Sequence, residues 1–193
     1  MKKKEIVFAT HNAHKAKEIQ NLLGDAFVIK TLSDVGIHED IPETGETLEQ
    51  NALIKSSYVY NLLGCNVFSD DTGLEVHALK GEPGVYSARY AGHKKNDKDN
   101  MSLLIQNLSN HTDKSAQFKT VISLFWEDQH VYFKGIAKGV IIDQLRGEFG
   151  FGYDPIFIPN GYDQTFAEME SQQKNALSHR GKAIQQMIEF LLS

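Results

Sequence analysis

Five consecutive residues, Ser69-Asp70-Asp71-Thr72-Gly73, set two carboxylates side by side directly after the apolar run Cys65-Asn66-Val67-Phe68. Such a run suits a buried strand, so both acids are expected where that strand ends, with Gly73 letting the backbone turn. Adjacent acids repel each other unless a cation lies beside them. A hard divalent ion with oxygen ligands is the usual partner, here expected to be Mg²⁺. A polar turn accounts for the same residues without any chemistry, because Asp, Thr and Gly favour turns for backbone reasons. A metal on Asp71 needs further oxygen ligands from another loop, and Glu43 is the candidate, since the following Thr44-Gly45 is a turn able to aim it inward. The other acids between residues 39 and 49 read as a solvated face.

Cationic and aromatic residues fall in four further stretches. Thr10-His11-Asn12-Ala13-His14-Lys15 joins a strand over residues 5–9 to a helix marked by Ala16, Ile19, Leu22 and Leu23, with Asn12 as its cap and Gly24 as its stop. A helix N-terminus after a strand is a ready anion site to which Lys15 adds a full charge, although a capped surface helix with a solvated lysine fits equally. A second helix, capped at Thr47 and running to Leu63, carries Asn51 and Lys55 on one face. The third stretch, Gly147 to Phe157, alternates glycines with aromatics. That pattern suits a ring such as Phe151 standing out to stack on a flat base, or a glycine-aromatic corner packed in the core. Lys174 and Ser178-His179-Arg180-Gly181-Lys182 precede a core helix with Ala183, Ile184, Met187, Ile188, Leu191 and Leu192 on its apolar face. Cations belong electrostatically at the other end of a helix, so a bound anion or polar ligand is expected there.

The elements that must position these groups read as a mixed α/β (α+β) chain. Further strands are expected over 27–31 and 74–79, and a helix over Met101 to Leu108. A hairpin of 117–126 with 129–142 turns at Glu127-Asp128, with possible bulges at Gly135 and Gly139. The 193 residues suffice for one domain with a real core. A net charge of −5 argues against a nucleic-acid polymer as partner. The single Cys65 rules out an internal disulfide and fits a buried structural thiol in a reducing compartment. The basic start Met1-Lys2-Lys3-Lys4 leads into an apolar run too short for a signal or membrane segment, so a cytoplasmic protein is expected.

Taken together, Thr10-His11-Asn12 with Lys15, Glu43-Thr44-Gly45, Asn51-Ala52, Ser69 to Leu74, Pro83 to Tyr90, Phe151-Gly152-Tyr153-Asp154-Pro155, and Lys174 with Ser178 to Gly181 give the chain a resemblance. In order and spacing it resembles the Ham1 family of inosine/xanthosine triphosphate pyrophosphatases along essentially its whole length. The resemblance implies one two-lobed domain over residues 1–193, with an elongated mixed central sheet flanked by helices and a cleft between the lobes. It also implies a homodimer that hydrolyses non-standard purine nucleoside triphosphates, ITP, dITP and XTP, to monophosphate and pyrophosphate with Mg²⁺. Glu43 and Asp71 would be metal-associated carboxylates, Asp71 also the general base, and Asp70 their acidic neighbour. The residues Thr10, His11, Asn12, Ala13, His14 and Lys15, with Lys55 and Thr72, would hold phosphates or sugar. Phe151 would stack on the base within the Phe151-Gly152-Tyr153 loop, and Asp154, Lys174, His179 and Arg180 would line its polar edge.

Gln50, Thr72 and His11 depart from the family pattern, in which Glu, Ser and a small or polar residue are common. They bear on fine specificity more than on activity. A haloacid-dehalogenase-like phosphatase is excluded, because its two Asp residues are separated by one position. A Maf-like pyrophosphatase for modified pyrimidine nucleotides and a non-catalytic nucleotide-sensing module remain as alternatives, distinguished by base preference and by pyrophosphate release.

Overall fold

The structure is a computed structural model describing residues 4–24 and 27–193, so residues 1–3 of the basic start lie outside the described residues. In chain order the elements are β1 (Lys4–Phe8), α1 (Ala13–Leu23), β2 (Phe27–Thr31), α2 (Leu48–Leu63), β3 (Val67–Val76), β4 (Pro83–Gly84), α3 (Asp97–Leu108), β5 (Ser115–Trp126), β6 (Gln129–Ile141), β7 (Phe157–Pro159), α4 (Ser171–Leu177) and α5 (His179–Leu192). The strands form one mixed sheet in the order β2-β1-β3-β5-β6-β7, with β4 beside β3. Strand β1 pairs in parallel with β2 and β3, whereas β3–β4 and β6–β7 are antiparallel. The expected mixed α/β class is therefore observed.

Two compact units share this chain: residues up to 71 with 120–134 and 183–193, and residues 72–119 with 135–182. In the first, β1 is buried on both faces, as a parallel strand between neighbours should be. Ile6 and Phe8 point to one cluster with Ile19, Leu23, Ile184 and Met187, while Val7 and Ala9 point to another with Val59 and Val67. The second unit packs Leu74, Val76, Leu104, Leu108, Phe118, Phe157 and Phe166.

Local signals explain the boundaries. Asn12 caps α1 by accepting the Lys15 N–H, Thr47 caps α2 by accepting the Gln50 N–H, and Gly64 closes α2 in the left-handed region with φ 58°. Glu127 and Asp128 both have positive φ, 46° and 65°, as a tight two-residue hairpin turn requires.

Three expectations need correction. The acids at 70 and 71 do not sit where a strand ends: β3 runs unbroken from Val67 to Val76 with Gly73 extended, and residues 77–79 form a single 3₁₀ turn in place of more strand. Carboxylates stay inside this strand because lysines meet them, as described below. Strand β6 also runs unbroken through Gly135 and Gly139. Gly139 is needed for close approach instead, since a β-carbon there would collide with the Ile158 carbonyl of β7. Finally, β7 and α4 were not anticipated, both being too short for a periodic signal.

Strand β7 pairs with β6 only at Gly139–Ile141. Further along, Lys182 Nζ donates to the Ile136 carbonyl at 2.9 Å and Gln186 Nε2 to the Lys134 carbonyl at 2.8 Å. No helix among the described residues is long and apolar enough to cross a membrane.

Candidate active site

In the first unit, successive positions of β3 face opposite ways, so Asp70 and Asp71 leave the strand on different sides. Asp70, 1% exposed, accepts Lys15 Nζ at 3.0 Å through Oδ1. Its backbone carbonyl takes Lys55 Nζ at 2.7 Å. The same ammonium bonds Glu43 Oε1 at 2.5 Å and lies 3.9 Å from Asp71 Oδ1. Lys55 thus gathers Glu43, Asp70 and Asp71 around one charge. The second carboxylate oxygen, Asp71 Oδ2, is buried with no hydrogen-bond partner among the described residues.

The electrostatics follow from burial. Desolvation pushes the Asp71 carboxyl up to about 6; Glu43 and Asp70 push the same way, and Lys55 with Lys15 offset only part. Burial pulls Lys55 down, but Asp71, Glu43 and Asp70 outweigh it, so its ammonium is held above the ordinary lysine range. Three carboxylates face two lysines, which leaves the cluster one net negative charge. Among the described residues no three His, Cys, Asp or Glu side chains form a ready-made metal cage.

The Glu43 loop is pinned to the start of α2. Asn51 Oδ1 accepts the Gly45 N–H at 2.8 Å and Gln50 Oε1 accepts the Glu46 N–H at 2.7 Å. A β-carbon at Gly45 would come within 2.6 Å of Gln50 Cβ, so only glycine lets the loop lie this close. Gln50 therefore keeps the acceptor this turn needs, with an amide oxygen in place of a carboxylate. At the other loop, the Asn12 N–H donates to Thr10 Oγ1 at 3.1 Å and His11 Nε2 lies 3.2 Å from the Glu39 carbonyl, while Ala13 and His14 form the exposed first turn of α1.

The second unit assembles the aromatic loop. Phe151 lies half-buried between Gly150 and Gly152, whose φ values of 79° and 65° are left-handed. Lys174 Nζ sits 5.2 Å and Arg180 Cζ 5.4 Å from the centre of its ring. Asp154 Oδ2 accepts both Lys174 Nζ at 2.9 Å and the Phe151 N–H at 2.9 Å, so one buried carboxylate fixes the cation and the ring together. Gly150 is obligatory, because any β-carbon there would strike this same oxygen. His179 stacks on Phe118 with centroids 4.6 Å apart, and Arg180 Nη2 donates to Thr72 Oγ1 at 3.5 Å. His179 and Arg180 are each 3% exposed. Tyr153 is buried, its hydroxyl donating to the Ser87 carbonyl at 2.8 Å, and burial holds its pKa far above the ordinary range.

A sequence profile of the Ham1 family matches residues 6–190. The chain belongs to the Ham1 family. Its relatives include dITP/XTP pyrophosphatases from Flavobacterium johnsoniae, 52% identical over 97% of each chain, and Christiangramia forsetii, 50% identical over 97% of this chain and 98% of the other. The solved Staphylococcus aureus Ham1 protein superposes with a TM-score of 0.89 at 44% identity, covering 97% of this chain and 98% of its own.

In this Ham1 chain the residues singled out from sequence form two constellations. Glu43, Lys15, Lys55, Asp70 and Asp71 meet in the first unit; Thr72, Phe151, Asp154, Lys174 and Arg180 meet in the second. Two supports escaped sequence reading. Ser87 accepts the Leu74 N–H at 2.9 Å besides carrying Tyr153, and Asp97 accepts the Gly152 N–H at 2.8 Å. Asp97 carries no motif; its only signal is an acid at the first residue of a helix capped by Asn96.

Proposed function

We infer that this chain hydrolyses non-standard purine nucleoside triphosphates, ITP, dITP and XTP, to the nucleoside monophosphate and pyrophosphate. One observation carries the chemistry: Asp71 Oδ2 is a buried carboxylate oxygen with no partner among the described residues, on a group burial has made more basic than an ordinary carboxylate. Kinship to proteins named dITP/XTP pyrophosphatase supplies the substrate class.

Mg²⁺ is the ion we assign. A net negative cluster suits a hard cation, with Asp71, Glu43 and Asp70 as the carboxylates that would hold it. Mg²⁺ sites in nucleotide enzymes commonly use one or two carboxylates and complete themselves with water and substrate phosphates, so a ready-made cage is not needed. When bound, the ion neutralises phosphate charge and polarises a phosphoryl oxygen.

The chain's own residues do the rest. Asp71 Oδ2 accepts a proton from water as the water oxygen bonds to the α-phosphorus; the bond from that phosphorus to the bridging oxygen breaks and pyrophosphate leaves with the electron pair. Lys15, Lys55 and the turn of Thr10, His11, Asn12, Ala13 and His14 counter the phosphate charge, with Thr72 toward the sugar. Phe151 stacks on the base, Gly152 and Tyr153 shape that loop, and Asp154, Lys174, His179 and Arg180 meet the base edge. A 6-oxo purine satisfies donors that adenine would leave unpaired, and each unpaired buried group carries a desolvation penalty. Residues 1–193 act as one pyrophosphatase domain. Net charge −5 supports free nucleotides as substrates in preference to polymers, and a lone cysteine supports a cytoplasmic setting; we take the working form to be a homodimer.

Pyrophosphate release measured over ITP, dITP, XTP, ATP, dGTP and dUTP, with and without Mg²⁺, tests the reading. Mg²⁺-dependent turnover favouring the 6-oxo purines is expected. Preference for a pyrimidine, or tight binding without release, overturns it.

A further inference from the structure

The two amides that flank the Phe151 side chain are each held by a carboxylate, and the two carboxylates come from different elements. Asp154 Oδ2 accepts the Phe151 N–H and Asp97 Oδ2, at the start of α3, accepts the Gly152 N–H at 2.8 Å. Glycines with left-handed backbone stand on both sides, so the segment has unusual conformational freedom that something must remove. Asp154 alone fixes one peptide; the next could still rotate and swing the ring. Asp97 is anchored to stop that. Asn96 caps its helix by accepting the Lys98 and Asp99 N–H groups, and Asn100 of the same turn bonds the Ala91 N–H and the Ala88 carbonyl.

We propose that Asp97 is a positioning residue that sets the pose of the Phe151 ring, and through it purine affinity, by clamping the Gly152 amide. The inference rests on the reading that Phe151 stacks on the base. Asp97 touches no reacting group, so its loss acts on nucleotide binding and not on the hydrolytic step. A charged acceptor for one amide is a modest interaction, so Asp97→Ala is expected to raise KM for dITP about three- to tenfold while kcat stays within about twofold. Asp97→Asn keeps an acceptor oxygen and restores most of that loss.

The test is steady-state kinetics with dITP and Mg²⁺ on the full chain for wild type, Asp97→Ala, Asp97→Asn, Phe151→Ala and the Asp97→Ala/Phe151→Ala double variant. Support consists of a raised KM in Asp97→Ala, recovery in Asp97→Asn, and no further rise when Asp97→Ala is added to Phe151→Ala. An unchanged KM in Asp97→Ala beside a raised KM in Phe151→Ala overturns the clamp and leaves the stacking role standing. An equal rise from Asp97→Ala in both backgrounds shows that it does not act through the ring and also overturns it. An unchanged KM in Phe151→Ala removes the stacking role and the clamp with it.

Discussion

Asp70 and Asp71 are chain neighbours in one strand, yet their carboxylates pair with different lysines: Asp70 Oδ1 bonds Lys15 at 3.0 Å, and Asp71 Oδ1 lies 3.9 Å from Lys55. The first is a tight ion pair. The second is loose and leaves an oxygen unclaimed, so the two acids are suited to different tasks, Asp70 to fixing a cation and Asp71 to accepting a proton.

Asp71→Asn is therefore expected to reduce kcat by a factor of about 10² to 10⁴ while the protein stays folded, since the change removes the proposed base without altering volume. Pyrophosphate release and far-ultraviolet circular dichroism check it. Turnover near wild type would remove Asp71 from the role.

Stability should change with pH in a defined direction. A carboxyl held at about 6 when folded, against 3.8 ordinarily, binds protons more readily in the folded state. Between those values the folded chain carries more protons than the unfolded one, so Asp71 lowers stability as pH rises from about 4 to 6, and the full penalty is present above 6. Asp71→Asn escapes the penalty. Urea denaturation in buffer without divalent ions should show the variant gaining on wild type by up to about 3 kcal/mol between pH 4 and 8. Parallel pH profiles would refute the assignment.

Phe151→Ala should weaken nucleotide binding by about 1 to 3 kcal/mol, the usual worth of one base on one ring. KM carries the effect and kcat changes less. An unaltered KM for dITP would place the ring outside the nucleotide site.

Exchange at the base edge should blur selection. Arg180→Lys or His179→Gln is expected to narrow the ratio of kcat/KM for ITP over ATP by about tenfold or more, because the buried groups proposed to reject adenine are displaced or removed. An unchanged ratio argues against both residues as readers of the base.

Lys174→Met tests the buried pair. Lys174 and Asp154 side chains are 8% and 5% exposed and 2.9 Å apart, so removing the ammonium strands a buried carboxylate. A loss of about 3 to 5 kcal/mol in urea denaturation is expected at neutral pH. A loss below about 1 kcal/mol would mean water reaches that carboxylate.

Local signals were readable where short-range physics decides. Asn12 and Thr47 announced their helices as caps, and Glu127-Asp128 announced its hairpin between two apolar runs. Asp70-Asp71 was misjudged as the end of a strand because nothing nearby in sequence supplies a countercharge; Lys15 lies 55 positions away and closes the pair only in the fold. Gly139 was misjudged for a similar reason, since the carbonyl that excludes a side chain belongs to Ile158. The grip of Asp154 on both Phe151 and Lys174 was legible as a set of residue types, whereas the contribution of Asp97 was not, its partner lying 55 positions onward.

The sheet margin along β6 carries one last consequence. Bare backbone acceptors at such a margin are a template on which another copy's strand could lie down and begin a fibre. The Lys182 ammonium and the Gln186 carboxamide already occupy the Ile136 and Lys134 oxygens, so a crowded solution of this protein meets a sealed seam there instead of a sticky one.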